Sequence, residues 1–156
     1  MEHKQLLTVF NSLPVGIGFF TADGTLVRCN ESFCRIFGAD SQTLLGNKLN
    51  INENSVVPDV VKEAVRRCVP VQMSFLYDFD KQRTDKRFFS TRTRTCYLKC
   101  NGNPLYDNDG KFVNYIFIFE DITETVKSEE VLRQSRRKTE LAMKAANIMF
   151  WEFDAV

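Results

Sequence analysis

The chain has 156 residues, 44% apolar and 26% charged, with a formal net charge of +1. That balance suits one globular domain with a little chain left over, and it excludes the basic surface that draws a protein to nucleic acid or anionic lipid. No run approaches the roughly 18 apolar residues a membrane helix needs, and the opening MEHKQLLTVF lacks the apolar core of a signal peptide.

Leu6, Val9, Phe10 and Leu13 repeat at helical spacing, so an amphipathic helix over 1–13 is expected to stop at Pro14. The period then becomes two: Val15, Ile17 and Phe19 share one face of a strand, and Gly16, Gly18 and Phe20 the other. Asp23-Gly24 marks a hairpin turn into a second strand, Leu26 to Cys29. Asn30 reads as the N-cap of a helix with Phe33, Ile36 and Phe37 on its apolar face, stopped by Gly38. Asp40 or Ser41 caps a further turn through Leu45, and residues 47–55 read as a loop. Pro58 opens a helix with Val57, Val61, Ala64, Val65 and Cys68 in one stripe.

Val71, Met73, Phe75, Tyr77 and Phe79 then alternate with Gln72, Ser74, Leu76 and Asp78, the clearest strand signal in the chain. DKQRTDK is a polar loop, and Phe88 to about Leu105 reads as a long strand bent near Gly102. Asp107 to Gly110 is a second hairpin turn, followed by an apolar strand from Phe112 to Glu120. Asp121 and Glu124 form an expected capping box for a charged helix over 122–147, with a thin apolar seam of Ile122, Val126, Leu132, Met143 and Ala146. Helices do not alternate with strands, so the expected class is α+β. The reading is a five-stranded antiparallel sheet with short helices on one face, an N-terminal amphipathic helix and a long C-terminal helix.

Residues 13–38, LPVGIGFFTADGTLVRCNESFCRIFG, resemble the opening of a PAS domain, and residues 104–123, PLYDNDGKFVNYIFIFEDIT, resemble its close. The family ends its last strand with D-I-T, here Asp121, Ile122 and Thr123, and runs into a signalling helix. The resemblance implies a PAS domain over 14–121 and a signalling helix over 122–147. The tail AANIMFWEFDAV echoes the N-terminal segment, so residues 148–156 are expected to begin a second PAS repeat. It also implies a bacterial two-component parent, such as a sensor histidine kinase working through a phosphorelay. In that mechanism Asp121, Ile122 and Thr123 pass a change in the sheet to the helix.

Catalytic and metal chemistry find little support. His3 is the only histidine, no Ser/His/Asp or Cys/His set can be assembled, and Cys96 and Cys100 stand about 13 Å apart if they share a strand. No catalytic residue and no metal site are therefore expected. Five cysteines cannot all pair within one chain, which fits buried thiols in a cytoplasmic protein, although the parent could be membrane-anchored elsewhere. Haem-binding PAS domains use an axial ligand, often His, but residues 56–79 contain none, and Cys68 and Met73 are imperfect substitutes. Flavin-binding LOV domains carry a reactive Cys that the matching stretch Gly46 to Asn50 lacks. Neither haem nor flavin is therefore expected as a cofactor.

A non-covalent small ligand remains open. The resemblance puts a pocket between the sheet and the central helix, with Phe33, Phe37, Val61, Val65, Phe75, Tyr77, Tyr97, Tyr115 and Phe117 as candidate walls. The alternative is that these rings fill the core at normal density. Arg83, Arg87, Arg92 and Arg94 read as a solvated edge or an anion site. The expected function is a non-catalytic sensory or dimerisation module, relaying a change induced by a ligand or a partner. Homodimers would form through segment 4–13 and the 122–146 seam, beside the adjacent domains of the parent chain, with no membrane contact by this segment. A ligand-free spacer is the alternative, and a small α+β enzyme the third.

Overall fold

The computed structural model describes residues 2–83 and 90–153, with the backbone alone over 148–153. In chain order come α1 (Glu2–Ser12), β1 (Gly16–Phe20), β2 (Leu26–Cys29), α2 (Glu31–Phe37), α3 (Ser41–Gly46) and α4 (Asp59–Arg66). Then follow β3 (Val71–Asp78), α5 (Phe79–Gln82), β4 (Thr95–Tyr106), β5 (Phe112–Asp121) and α6 (Thr123–Phe153). The chain divides into two compact units, Met1–Ile122 and Thr123–Val156. The sheet of the first unit runs β2-β1-β5-β4-β3, and every neighbouring pair is antiparallel. The expected α+β architecture is the one found.

Alternation decides which face is the core. Cys96, Leu98 and Cys100 of β4 and Tyr115, Phe117 and Phe119 of β5 are buried, while the residues between them are more exposed. Helices α2, α3 and α4 contact β1, β2 and β3 and close the core. Each fully buried Phe or Leu there contributes about 1.5–3 kcal/mol of transfer free energy. Gly102 faces both Val71 and Phe117, and a Cβ at that position would lie 2.4 Å from a ring carbon of Phe117. The ring of Phe117 thus occupies the space that a side chain at 102 would need. On the opposite face, α1 rests its Phe10 ring 6.1 Å from Phe19, with the Arg28 guanidinium 5.1 Å over it.

Asn30 is the polar centre of this unit and is 1% exposed. Its Oδ1 accepts from Phe33 N at 2.9 Å, capping α2, and from Ile17 N at 2.8 Å. Its Nδ2 donates to Phe10 O at 3.0 Å and Val15 O at 2.9 Å. One amide therefore joins α1, β1 and α2. At the other end of α2, Gly38 has φ 64, a conformation that spares glycine the strain of a Cβ.

Three expectations are corrected. Phe79 leaves the strand: Asp78 Oδ1 accepts from Lys81 N at 2.9 Å and starts the one-turn helix α5 where a loop was expected. The strand expected from Phe88 begins at Thr95, because Ser90 and Thr91 bond the end of α2 instead; residues 84–89 lie outside the described residues. The 47–55 segment is the expected loop, but a packed one, with Leu49, Asn50, Ile51 and Asn54 buried. Finally, α6 runs to Phe153, past its expected end at 147, because a helix satisfies its own amides and can continue without a neighbour; residues 154–156 lie outside the description.

Asn30→Ala is expected to cost about 2–4 kcal/mol, since it removes an N-cap and strands two buried amides and two carbonyls. Urea unfolding of both chains measures this, and a loss under about 0.5 kcal/mol would contradict the assigned role.

Candidate functional site

The cavity sits where α2, the 49–57 connection, α4 and the inner sheet face converge. Phe33 and Phe37 come from α2, and Phe20, Phe75, Tyr77 and Phe119 from the sheet. Leu49, Asn50, Ile51, Asn54 and Val57 come from the connection, and Val61 from α4. The enclosed space is about 20 Å³, room for about one water-sized molecule. Small-molecule pockets are typically about 300–1,000 Å³.

Aromatic packing explains the small volume. Phe37 meets Phe33 at 4.5 Å, Phe119 at 5.2 Å and Tyr77 at 5.5 Å between ring centroids, and Tyr77 meets Phe79 at 4.9 Å. The polar members are mostly engaged. Asn54 Nδ2 donates to the Tyr77 hydroxyl at 2.9 Å while its Oδ1 accepts from Val56 N at 3.0 Å. Asn50 Nδ2 donates to Asp23 O at 3.1 Å and Thr25 Oγ1 at 3.0 Å, tying the connection to the first hairpin. Burial pushes the Tyr77 hydroxyl well above the ordinary tyrosine range, so it holds its proton.

Five of the nine expected wall residues meet here: Phe33, Phe37, Val61, Phe75 and Tyr77. Val65, Tyr115 and Phe117 are buried in the core but are not among the walls, and Tyr115 OH donates to Val69 O at 2.5 Å. Tyr97 is a correction. It lies opposite Leu76 on the outer face, 39% exposed, because Cys96 and Leu98 take the inward positions on either side. Phe20 and Phe119 of the sheet were missed as walls, and so were the connection residues. Only the apolar Leu49 and Ile51, spaced by two, hinted at them.

A second cluster lies at the end of β5. Arg92 Nη1 donates to Ile36 O at 2.8 Å, and its Nη2 to Asp121 Oδ2 at 3.0 Å. Its guanidinium lies 4.9 Å over the Phe79 ring. Ser90 Oγ donates to Phe37 O at 2.7 Å and accepts from Arg92 N at 3.0 Å. Arg92 is thus no solvated edge, as its place in an arginine-rich stretch had suggested. It joins the last turn of the cavity helix to the end of the last strand. The expected relay residues fall at this junction. Ile122 N donates to Tyr97 O at 2.9 Å, and Thr123 opens α6. Asp121 belongs to β5, so Ile122, not Asp121, flanks the helix.

Among the described residues, no three His, Cys, Asp or Glu side chains come together to hold a metal ion. No helix among them is long and apolar enough to cross a membrane.

A family model described as the PAS fold matches residues 10–127. Among solved structures, the chain is similar to a PAS domain from Colwellia psychrerythraea, with 15% identity, TM-score 0.59, and coverage of 80% of this chain and 99% of that one. A PAS domain from a two-component sensor histidine kinase aligns at 14% identity and TM-score 0.56, covering 77% and 96%. The LOV domain of the blue-light photoreceptor Aureochrome1 aligns at 18% identity and TM-score 0.54, covering 85% and 97%. These likenesses establish the fold. The curated proteins gave no match.

Alkaline stability follows from the buried hydroxyls and thiols. Burial pushes Cys96 and Cys100 from the ordinary 9.0 up to about 11, and Tyr115 from 10.0 up to about 12. The folded state holds these protons more tightly than the unfolded chain. Their stabilisation is therefore whole below pH 9 and is lost as pH rises through the folded values of about 11 to 12. The urea midpoint is expected to fall from about pH 9 upward, and Tyr115→Phe to flatten the fall above about pH 10. A midpoint level to pH 11 would contradict this.

Proposed function

The chain belongs to the PAS-fold family, and from that premise we propose that it is a non-catalytic sensory module of a multi-domain signal-transduction protein. Arg92 carries the reading. It holds the Ile36 carbonyl of the cavity helix with one nitrogen and the Asp121 carboxylate with another. A shift of α2 that moves the Ile36 carbonyl changes the geometry at Asp121, two residues before α6 starts. Only an effector with different affinities for the two arrangements drives such a shift.

The proposed setting is a cytoplasmic, bacterial, two-component protein, with a sensor histidine kinase as parent and a phosphorelay as output. The solved PAS domain from such a kinase supports this setting. We propose a homodimer through the terminal helices, supported by the exposed Leu6 and Val9 on α1 and Leu132 and Met143 on α6. We expect the purified chain to carry neither haem nor flavin. At about 20 Å³ the cavity as it stands suits a molecule of about water's size. The same volume favours a second reading, a ligand-free spacer that responds to a partner.

Two measurements separate these readings. Mass spectrometry of material released from the purified chain, with thermal unfolding against small metabolites, is expected to reveal a small bound molecule if the module senses one. A chain that carries nothing and shifts with nothing is a spacer. Arg92→Ala is expected to cost about 1–3 kcal/mol and to speed amide exchange at 121–124, because two charge-assisted bonds are lost. Unchanged exchange there would remove Arg92 from the relay.

A further inference from the structure

Cys29 closes β2 and Cys34 lies in the middle of α2, with the cap residue Asn30 between them in sequence. Their sulfurs are 3.8 Å apart, and both side chains are half-buried against the core. Cys96 and Cys100 are fully buried in β4. A disulfide requires about 2.0 Å between sulfurs, so the pair must close by just under 2 Å, within the reach of side-chain rotation. The backbone at both positions is already held. Cys29 pairs with Gly18 across the sheet, and Asn30 accepts from Phe33 N to fix the first turn of α2.

We propose that Cys29 and Cys34 form a reversible disulfide, a redox latch between the end of β2 and the cavity helix. The oxidant class is a hydroperoxide. Cys34 attacks the peroxide oxygen, the O–O bond breaks, and the departing oxygen leaves protonated as alcohol or water, with a sulfenic acid left on Cys34. Cys29 then attacks that sulfur. The S–S bond forms, the S–O bond breaks, and hydroxide leaves with the Cys29 proton as water. In net terms, two thiols and one hydroperoxide give one disulfide, one water and one alcohol or second water.

Burial raises the Cys34 thiol, Asp40 and Glu31 add to the rise and the hydrogen bond from Cys29 opposes it; Cys34 is the less strongly raised of the two and so the attacking sulfur. Burial and the neighbouring Cys34 hold Cys29 up at about 12, so Cys29 is the poorer nucleophile of the pair toward peroxide and takes the resolving role, with the Cys34 sulfur already beside it. The bond would draw in the helix that supplies Phe33 and Phe37 to the cavity. Cellular thiols would reverse it.

The test reads a single peptide. Trypsin cuts after Arg28 and Arg35, so both cysteines fall in CNESFCR. The reduced chain is treated with hydrogen peroxide, unfolded, alkylated with N-ethylmaleimide and digested. The expected product is this peptide lighter by two hydrogen atoms, without alkyl adducts, restored by dithiothreitol. It should form at least about tenfold faster than Cys96 or Cys100 is lost, because those thiols are shut away from the oxidant. In Cys29→Ser, Cys34 is expected to be trapped as a sulfenic acid by dimedone. A peptide that keeps both adducts, a bridge to another cysteine or a second chain, or no dimedone adduct in the variant would overturn the latch.

Discussion

The packing of the first unit turns on one buried carboxamide. Asn30 has two donor hydrogens and an acceptor oxygen with two lone pairs, and all four positions are used. No other side chain has that inventory at that length. Aspartate would place a carboxylate against the carbonyls of Phe10 and Val15, and serine would fall short of one side. Because the amide caps α2 and also holds β1, the helix enters the fold at a set angle to the strand. That angle brings Phe33 and Phe37 over the sheet, and the remaining contacts of the cavity follow from it. The cost is rigidity, since a buried polar centre satisfied on every side tolerates little movement.

At its other end, the same helix depends on long-range partners. The Phe37 and Gly38 carbonyls are bonded by Ser90 and Thr91, and the Ile36 carbonyl by Arg92, more than fifty residues further on. α2 is thus fixed locally at its start and remotely at its end. Asp121 stands at that remote end.

These two kinds of contact also explain what could be read from the chain. Period-two alternation in β1, β3 and β5, the two Asp-Gly turns, the Asn30 cap and the α4 stripe are local signals, and each marks its element within a residue or two, whereas the start of β4 was set seven residues early. Ring chemistry was a poorer guide than strand period at Tyr97, where alternation alone places the residue outside. The wall built from Leu49 to Val57 was not legible, because its order comes from asparagine side chains that bond Asp23, Thr25 and Tyr77 far away in sequence. Arg92 was hidden among other arginines for the same reason. Five of the cavity's twelve lining residues were therefore visible in helix and strand patterns, and the connection that completes it is set by tertiary contacts.

The strand order has a consequence for how the molecule is made. β1 pairs on one side with β2, its immediate successor, and on the other with β5, with Gly16 facing Phe119 about a hundred residues later. At about 5–20 residues per second of synthesis, the first hairpin waits roughly 5–20 s for the strand that completes it. Throughout that interval one side of β1 has no ladder partner, and Phe20 and Ile17 lack the rows that bury them. The nascent chain is most vulnerable to association with a neighbouring ribosome's product in that window, and the last strand to emerge ends it.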